Sequence, residues 1–191
     1  MLTAAILAGG KSSRMVANKA LLLFRGHPMI SAVADAVRPV ASELFVVADD
    51  GAPYASLGFR TVADIHKGRG PLGGLHAALT ASRTDETLVL ACDTPRVSTP
   101  LLRYLSEFSS QALARVAEID GRIHPLCAVY DRRCLPEIER LIAEDRLAMR
   151  ALLDAVGAQT VSITPDLSCY RANMLANIND SSALHAEESA G

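Results

Sequence analysis

The stretch Ala4–Met15, AAILAGGKSSRM, decides the fold class. Its first half is an uninterrupted apolar run, which is typical of a parallel strand covered on both faces. The run ends in Gly9-Gly10, and a lysine, two serines and Arg14 follow. Adjacent glycines let the backbone turn sharply and let a ligand come close, and backbone N–H groups beside an arginine favour a phosphate. The segment therefore predicts a buried strand that leads into a phosphate-binding loop.

Similar apolar runs alternate along the chain with stretches of helical periodicity. The predicted strands are Thr3–Ala8, Leu44–Ala48, Arg60–Val62, Thr87–Ala91, Arg115–Glu118, Leu126–Tyr130 and Thr160–Ile163. The predicted helices are Pro28–Arg38, Leu72–Ser82, Thr99–Phe108, Leu135–Glu144, Ala148–Val156 and Ser181–Glu187. Asp120-Gly121 is a hairpin signal, so part of the sheet is expected to turn antiparallel. The alternation predicts an α/β fold, a three-layer α/β/α sandwich with a mostly parallel mixed sheet, in one domain over residues 1–191.

Composition excludes several functional classes. The 191 residues carry a net charge of −2, no tryptophan and 4% aromatics, which argues against a nucleic-acid binder. The four cysteines are widely spread, which argues against a zinc site or a disulfide framework. No basic region precedes the first apolar run, and no apolar run approaches the roughly 18 residues of a membrane span. We therefore expect a soluble cytoplasmic protein without a membrane partner.

Three kinds of phosphate-binding loop compete at Gly9-Gly10. A dinucleotide fingerprint needs G-x-G-x-x-G, which this loop lacks. The P-loop pattern G-x-x-x-x-G-K-[ST] fails only at its first glycine, where Ala5 stands inside the predicted strand. In a nucleotidyltransferase the loop crosses a triphosphate, and Arg14 and Lys19 contact its phosphates. The remaining alternative is a plain glycine-rich turn with solvated charges.

Asp93 follows the buried strand of ETLVLACDTP. A carboxylate at the carboxyl end of a parallel strand lies where open α/β sheets bind ligands. Mg²⁺ commonly takes one or two carboxylates together with substrate phosphates and water. Asp93 is therefore a candidate Mg²⁺ ligand, and the alternative is a turn-forming aspartate before a proline.

Two weaker markers lie further along the chain. Asp64 precedes the glycine-rich helix entry Pro71–Gly74, which allows close approach of a nucleotide but is equally typical of a plain helix start. Asn177-Ile178-Asn179 lies near the end of the sequence, where turn chemistry is the simpler interpretation.

Five motifs stand in a recognisable order: LAGGKSSRM with NKALL, PLGGL, CDTP, HPL and NIND. In order and approximate spacing they resemble those of the molybdenum cofactor guanylyltransferases, the molybdopterin-guanine dinucleotide biosynthesis protein A family. The resemblance extends from about Leu7 to Asn179. It implies the nucleotide-diphospho-sugar transferase-like, Rossmann-like fold of the nucleotidyltransferase superfamily, with a nucleotide-binding half over residues 1–100 and a pterin-substrate half over residues 101–185.

The resemblance also implies an activity. Such an enzyme transfers GMP from GTP to the terminal phosphate of molybdopterin or molybdenum cofactor and releases pyrophosphate, with Mg²⁺ as cofactor. Related cytidylyltransferases carry alanine where this chain has Gly9, which favours GTP over CTP. Transient contact with proteins that deliver or accept the cofactor is expected as well.

The resemblance assigns roles to particular residues. Catalytic roles fall to Arg14, Lys19 and Asp93, and Asp93 would hold the metal. The nucleotide would be bound by Leu7, Ala8, Gly9, Gly10, Lys19, Asp64 and Asp93. The pterin substrate would be bound by Arg14, Gly74, Asn177 and Asn179.

Two alternatives stay open. One is another small-molecule nucleotidyltransferase, either a CTP-dependent molybdenum cofactor cytidylyltransferase or a sugar-phosphate enzyme. The other is a non-catalytic nucleotide- or pterin-binding protein on the same fold. It is motivated by Val16 and Asn18, which stand where the family pattern has a glycine and an acidic residue.

Overall fold

The computed structural model describes residues 2–9 and 18–178. The strands in these ranges are β1 (Thr3–Leu7), β2 (Leu23–Phe24), β3 (His27–Pro28), β4 (Glu43–Val47), β5 (Arg60–Val62), β6 (Glu86–Ala91), β7 (Ala114–Ile119), β8 (Arg122–Asp131) and β9 (Gln159–Ile163). The α-helices are α1 (Met29–Val37), α2 (Ala52–Ala55), α3 (Gly70–Ala81), α4 (Thr99–Glu107), α5 (Leu135–Ala143) and α6 (Met149–Ala155). Single 3₁₀ turns cover Lys19–Leu21 and Arg132–Cys134.

Seven of these strands form one mixed sheet in the order β5-β4-β1-β6-β8-β7-β9. β1 runs parallel to β4 and β6, β4 to β5, and β7 to β9, whereas β8 is antiparallel to β6 and β7. The β7–β8 turn is Asp120-Gly121, with φ of 52° and 71°. Positive φ at both positions is what a two-residue hairpin turn of type I′ requires. The expected mostly parallel mixed sheet and its antiparallel hairpin are confirmed.

Apolar side chains cover both faces of the sheet. On one face, alternate residues of β1 such as Ile6 pack with α1 and α4 in a core that includes Ile30 and Leu101. On the other face, Leu7 packs with α3, α5 and α6 in a core that includes Leu75 and Leu141. Successive strand residues point to opposite faces, so a strand that is buried along its whole length, as β1 is, must lie between two helical layers. The three-layer α/β/α arrangement is confirmed.

The predicted strands all form, and five of the six predicted helices form with ends shifted by at most two residues. The sixth, Ser181–Glu187, lies outside the described residues. The sequence analysis missed α2 and the β2–β3 ribbon because a four-residue helix and two-residue strands complete only about one structural period, which leaves no repeating pattern in the sequence. It also predicted β8 too short, beginning at Leu126, because the strand contains Pro125. No helix in the described ranges is long and apolar enough to span a membrane.

Candidate active site

A cleft of about 1450 Å³ opens at the carboxyl ends of β1, β4 and β6. Past the last strand residues, Ala8 N donates to Val47 O at 2.9 Å and Cys92 N donates to Leu7 O at 3.2 Å. These bonds keep the three loops side by side as they leave the sheet. The loop after each parallel strand therefore opens at the same edge, where ligands of open α/β sheets bind.

Lys19 and Asp93 meet in this cleft, although 74 positions separate them in the sequence. Lys19 Nζ lies 2.5 Å from Asp93 Oδ2, and the side chains are 19% and 15% exposed. A partly buried ion pair is screened less by salt than a surface pair. The cleft thus holds a cation and an anion in direct contact at the end of β6.

The second oxygen of Asp93 suits a metal ion. Asp93 Oδ1 is buried and has no hydrogen-bond partner among the described residues. A buried acceptor without a partner is costly, and a bound cation would remove that cost. Within residues 2–9 and 18–178, no group of three or more His, Cys, Asp or Glu side chains could hold a metal alone. The donor set therefore fits an ion whose coordination is completed by substrate phosphates and water.

The backbone around Asp93 ties the last described segment to the cleft. Thr94 Oγ1 donates to Ala91 O at 3.1 Å and closes the turn after β6. Ile178 N donates to Asp93 O at 2.9 Å. Ile178 is buried in a small cluster beside the β2–β3 ribbon. The neighbouring Asn177 lines the cleft as a result.

Asn18 and Tyr54 fix the loop that carries Lys19. Asn18 caps the 3₁₀ turn by accepting from Ala20 N at 3.2 Å, and its amide donates to Tyr54 Oη at 2.9 Å. Tyr54 Oη in turn donates to Ala8 O at 3.4 Å. Burial raises the pKa of Tyr54, so the hydroxyl keeps its proton and can donate. The sequence analysis missed Tyr54, since its partners are distant in the chain.

The glycines at the start of α3 lie close to other residues of the chain. A Cβ at Gly73 would lie 2.9 Å from Asp64 Oδ2, and one at Gly74 would lie 3.3 Å from Leu7 Cδ1. The other Asp64 oxygen accepts from His66 N at 2.8 Å. Small residues here let α3 approach the end of β1 closely. Gly74 therefore lies on the Leu7 side of the cleft.

Strand β8 and helix α6 form the other half of the cleft, with side chains that the sequence analysis did not assign. Arg122, His124, Leu126 and Met149 line it. Burial, and then the nearby Arg122 charge, lower the pKa of His124 below its ordinary value. This half thus combines one guanidinium, an imidazole that favours its neutral form, and apolar side chains.

Cys92 also lines the cleft, beside Asp93. It is only partly exposed, and burial followed by the Asp93 charge raises the pKa of its thiol to about 12. A thiol with this pKa stays protonated at neutral pH and is a poor nucleophile. Covalent catalysis by Cys92 is therefore disfavoured.

The predicted site residues within the described ranges come together in this cleft. Those that line it are Leu7, Ala8, Gly9, Lys19, Asp64, Gly74, Asp93 and Asn177. Gly10, Arg14 and Asn179 lie outside the described residues. The locations agree with one site, while the individual roles stay predictions.

Comparison with known proteins identifies the family. A model of the MobA-like NTP transferase domain matches residues 4–161. The chain belongs to this family. It is 35% identical to the "Probable molybdenum cofactor guanylyltransferase" of Flavobacterium johnsoniae, over 96% of this chain and 95% of that protein. It is 32% identical to the molybdenum cofactor guanylyltransferase of Desulfosudis oleivorans, over 98% of this chain and 95% of that protein.

A solved structure has the same fold as this MobA-like chain. The molybdopterin-guanine dinucleotide biosynthesis protein A of Archaeoglobus fulgidus has a TM-score of 0.81 and 24% identity, over 98% of this chain and 97% of that one. The resemblance and the nucleotidyltransferase fold are therefore confirmed. The MobA-like chain is an enzyme of the nucleotidyltransferase class, which typically works with a divalent metal ion. Ala5 is completely buried in β1, which contradicts the P-loop alternative.

Proposed function

We propose that this protein transfers GMP from GTP to the terminal phosphate of molybdopterin, or of its molybdenum-bearing form, and releases pyrophosphate. The observation that carries the proposal is the Lys19–Asp93 pair in a two-sided cleft at the carboxyl ends of β1 and β6. Such a cleft can hold two reactants that meet at one charged centre. The family and the names of relatives matched over nearly the whole chain support the choice of reactants.

The reaction exchanges one phosphorus–oxygen bond for another. An oxygen of the acceptor phosphate forms a bond to the α-phosphorus of GTP. The bond from that phosphorus to the bridging oxygen breaks, and its electron pair leaves with pyrophosphate. The attacking phosphate is already an anion, so no side chain needs to remove a proton. The protein's main task is to bring two polyanions together and to stabilise the charge that develops.

The residues divide this task between binding and charge. Residues 7–9 at the end of β1 bind the nucleoside, and Asp64 contributes from the loop before α3. The Lys19 ammonium neutralises phosphate charge, together with Arg14. Asn177 helps to hold the pterin, with Asn179 and Gly74 as further contacts. In this assignment residues 1–100 mainly bind the nucleotide and residues 101–185 mainly bind the acceptor.

Asp93 would hold the divalent ion, which we propose to be Mg²⁺. Its Oδ1 atom is buried and lacks a hydrogen-bond partner within the described ranges, as a ligand position requires. A bound Mg²⁺ would neutralise negative charge on the phosphates and align them. Asp93 also holds the Lys19 ammonium near that position.

Gly9 supports GTP over CTP. Among the described residues, a Cβ built on Gly9 would have its nearest contact with Val47 O at 3.9 Å, which is an ordinary van der Waals distance. This part of the fold would therefore accept alanine. Because Gly9 lines the cleft, we infer that the absence of a methyl group leaves room for a larger purine base. We propose a cytoplasmic site for this reaction, since its substrates are small soluble anions.

A nucleotide panel tests the proposal. Purified protein is incubated with Mg²⁺, molybdopterin and one of GTP, CTP, ATP or UTP, and products are identified by mass. The expected result is molybdopterin-guanine dinucleotide and pyrophosphate with GTP, and a loss of the GTP preference in Gly9→Ala. A cytidine dinucleotide would instead indicate the cytidylyltransferase alternative. Binding of GTP and molybdopterin without pyrophosphate release would indicate the non-catalytic one.

A further inference from the structure

Strand β8 lies inside the sheet and yet contains a proline. Its register with β7 breaks there: Ala117 pairs with His124, while the adjacent Val116 pairs with Ala128. Three residues of β8, Pro125 to Cys127, thus stand opposite no residue of β7. An ordinary bulge inserts a single residue, so this one is unusually large. Proline has no N–H for the ladder, and inside a sheet it is tolerated only at such a break.

A buried tyrosine closes this bulge. Tyr130 Oη donates to Pro125 O at 2.8 Å. In a regular strand, five residues span roughly 17 Å, which is further than a tyrosine side chain reaches. The hydrogen bond therefore exists only because the bulge folds the strand back on itself. Tyr130 is fully buried, and burial raises the pKa of its hydroxyl, which keeps its proton and remains a donor.

The bulge forms the cleft wall on the side away from β1. The cleft is lined from Arg122 continuously to Cys127. Ile123 and Leu126 are partly buried against the core that contains Tyr130, as is Met149 of α6. The wall thus offers apolar surface flanked by a guanidinium and an imidazole. This chemistry suits a flat heteroaromatic ring with polar edges that carries a phosphate.

We propose that Tyr130 is a positioning residue for the phosphate-bearing pterin acceptor. Its hydroxyl holds the wall formed by the bulge from Pro125 to Cys127 through Pro125 O, and it does not itself touch the substrate. The inference rests on the proposed function, because it takes from it both the acceptor and the half of the cleft that binds it. It adds the residue that shapes that surface.

The test is Tyr130→Phe, which keeps the ring and removes only the hydroxyl. Initial rates are measured with GTP and molybdopterin varied in turn, and molybdopterin binding is measured directly by pterin fluorescence. We expect the acceptor KM and its dissociation constant to rise about five- to tenfold, with the GTP KM within about twofold of wild type. Tyr104→Phe is the matched control, since Tyr104 lies on α4 and does not line the cleft. It should leave both KM values unchanged.

The outcomes separate this inference from the proposed function. Wild-type turnover with an unchanged acceptor KM in Tyr130→Phe would overturn the inference alone. Equal increases in both KM values would also overturn it, because they would indicate a general structural role. Wild-type binding of molybdopterin without turnover, weakened in Tyr130→Phe, would overturn the function and support the wall. Absence of both binding and turnover in the wild type would overturn both.

Discussion

The two halves of the cleft are built in different ways. The half that contains Leu7 is formed where parallel strands end side by side, and its loops converge because the topology brings them there. The half that contains His124 is formed by an antiparallel hairpin whose inner strand is interrupted at Pro125. Each half has a buried tyrosine that donates to a backbone carbonyl of the cleft: Tyr54 to Ala8 O, and Tyr130 to Pro125 O.

The first half of the cleft uses a feature common to many α/β proteins, whereas the second half uses an interruption in a single strand. Parallel strand ends provide a phosphate-binding edge in many α/β proteins, so the first half requires only local changes to accept a nucleotide. The second half depends on one irregularity and on one hydroxyl that holds it. Under the proposed assignment, recognition of the acceptor can therefore change without disturbance of the half that binds the nucleotide. Substitutions in one half should alter mainly the kinetics of one substrate. The exceptions are Asp93, where the halves meet, and Gly74, which lies on the Leu7 side but is assigned to the acceptor.

Asp93→Asn should have the largest effect, and it should affect the kinetics of both substrates. The amide keeps the shape but removes the charge that would hold the metal and that pairs with Lys19. We expect kcat/KM to fall about 10³-fold, or about 4 kcal/mol, for both substrates. The rate of pyrophosphate release at saturating Mg²⁺ measures this fall in kcat/KM. A loss confined to one substrate would show that Asp93 belongs to one half only.

Lys19→Ala should have the next largest effect and should be confined to the nucleotide half. Removal of the ammonium takes away positive charge beside the phosphates, and we expect kcat/KM for GTP to fall about 10²-fold, or about 2.7 kcal/mol. The dissociation constant of molybdopterin, measured without GTP, should change less than about threefold. If molybdopterin binding weakens as much as kcat/KM for GTP falls, Lys19 acts on both substrates.

Tyr54→Phe should give a smaller effect. It should raise the GTP KM, whereas Tyr130→Phe is expected to raise the acceptor KM. Loss of the hydroxyl removes its bonds to Asn18 and Ala8 O, worth about 1 kcal/mol. The GTP KM should rise about fivefold while the acceptor KM stays constant. Steady-state kinetics with each substrate varied will show whether the two variants separate. If they behave identically, the proposed division of the cleft is wrong.

His124 provides the smallest and most local test. Its pKa should lie below 6.5, first because of burial and then because of Arg122, and Arg122→Ala should move it upward. The folded ring binds fewer protons than the unfolded one, so its contribution to stability is complete above pH 6.5 and is lost as the pH falls through the folded value. NMR titration of the ring measures this pKa. If the pKa of His124 is unchanged in Arg122→Ala, the Arg122 guanidinium does not act on His124 in the cleft.

Much of the fold could be predicted because burial on both faces leaves a direct trace in the sequence. The apolar run Ala4–Leu7 of β1 predicts a strand covered on both faces, and Asp120-Gly121 predicts a tight hairpin turn. Strand ends also predicted that Asp93 and the loop after β1 would lie at one edge. The strand that became β8 was predicted to begin only after Pro125, and the bulge at this proline depends on contacts that periodicity does not describe.

The missed parts of the cleft share a physical cause. Tyr54 lies 46 positions from Ala8, and nothing in its local sequence indicates which carbonyl its hydroxyl will meet. The same holds for Met149, whose location depends on how α6 packs against β8. Such residues become visible only when the helices are docked on the sheet. The strand ends that form the cleft are therefore easier to predict from the sequence than the side chains that hold them in place.

The bond from Ile178 N to Asp93 O has a consequence for the making of the enzyme. During synthesis on the ribosome, β1 and β6 emerge early and can begin to assemble. The segment around Ile178, which completes the surroundings of Asp93, leaves the exit tunnel only after all seven strands of the sheet. The surroundings of Asp93 are therefore completed last, when the sheet beneath them already exists.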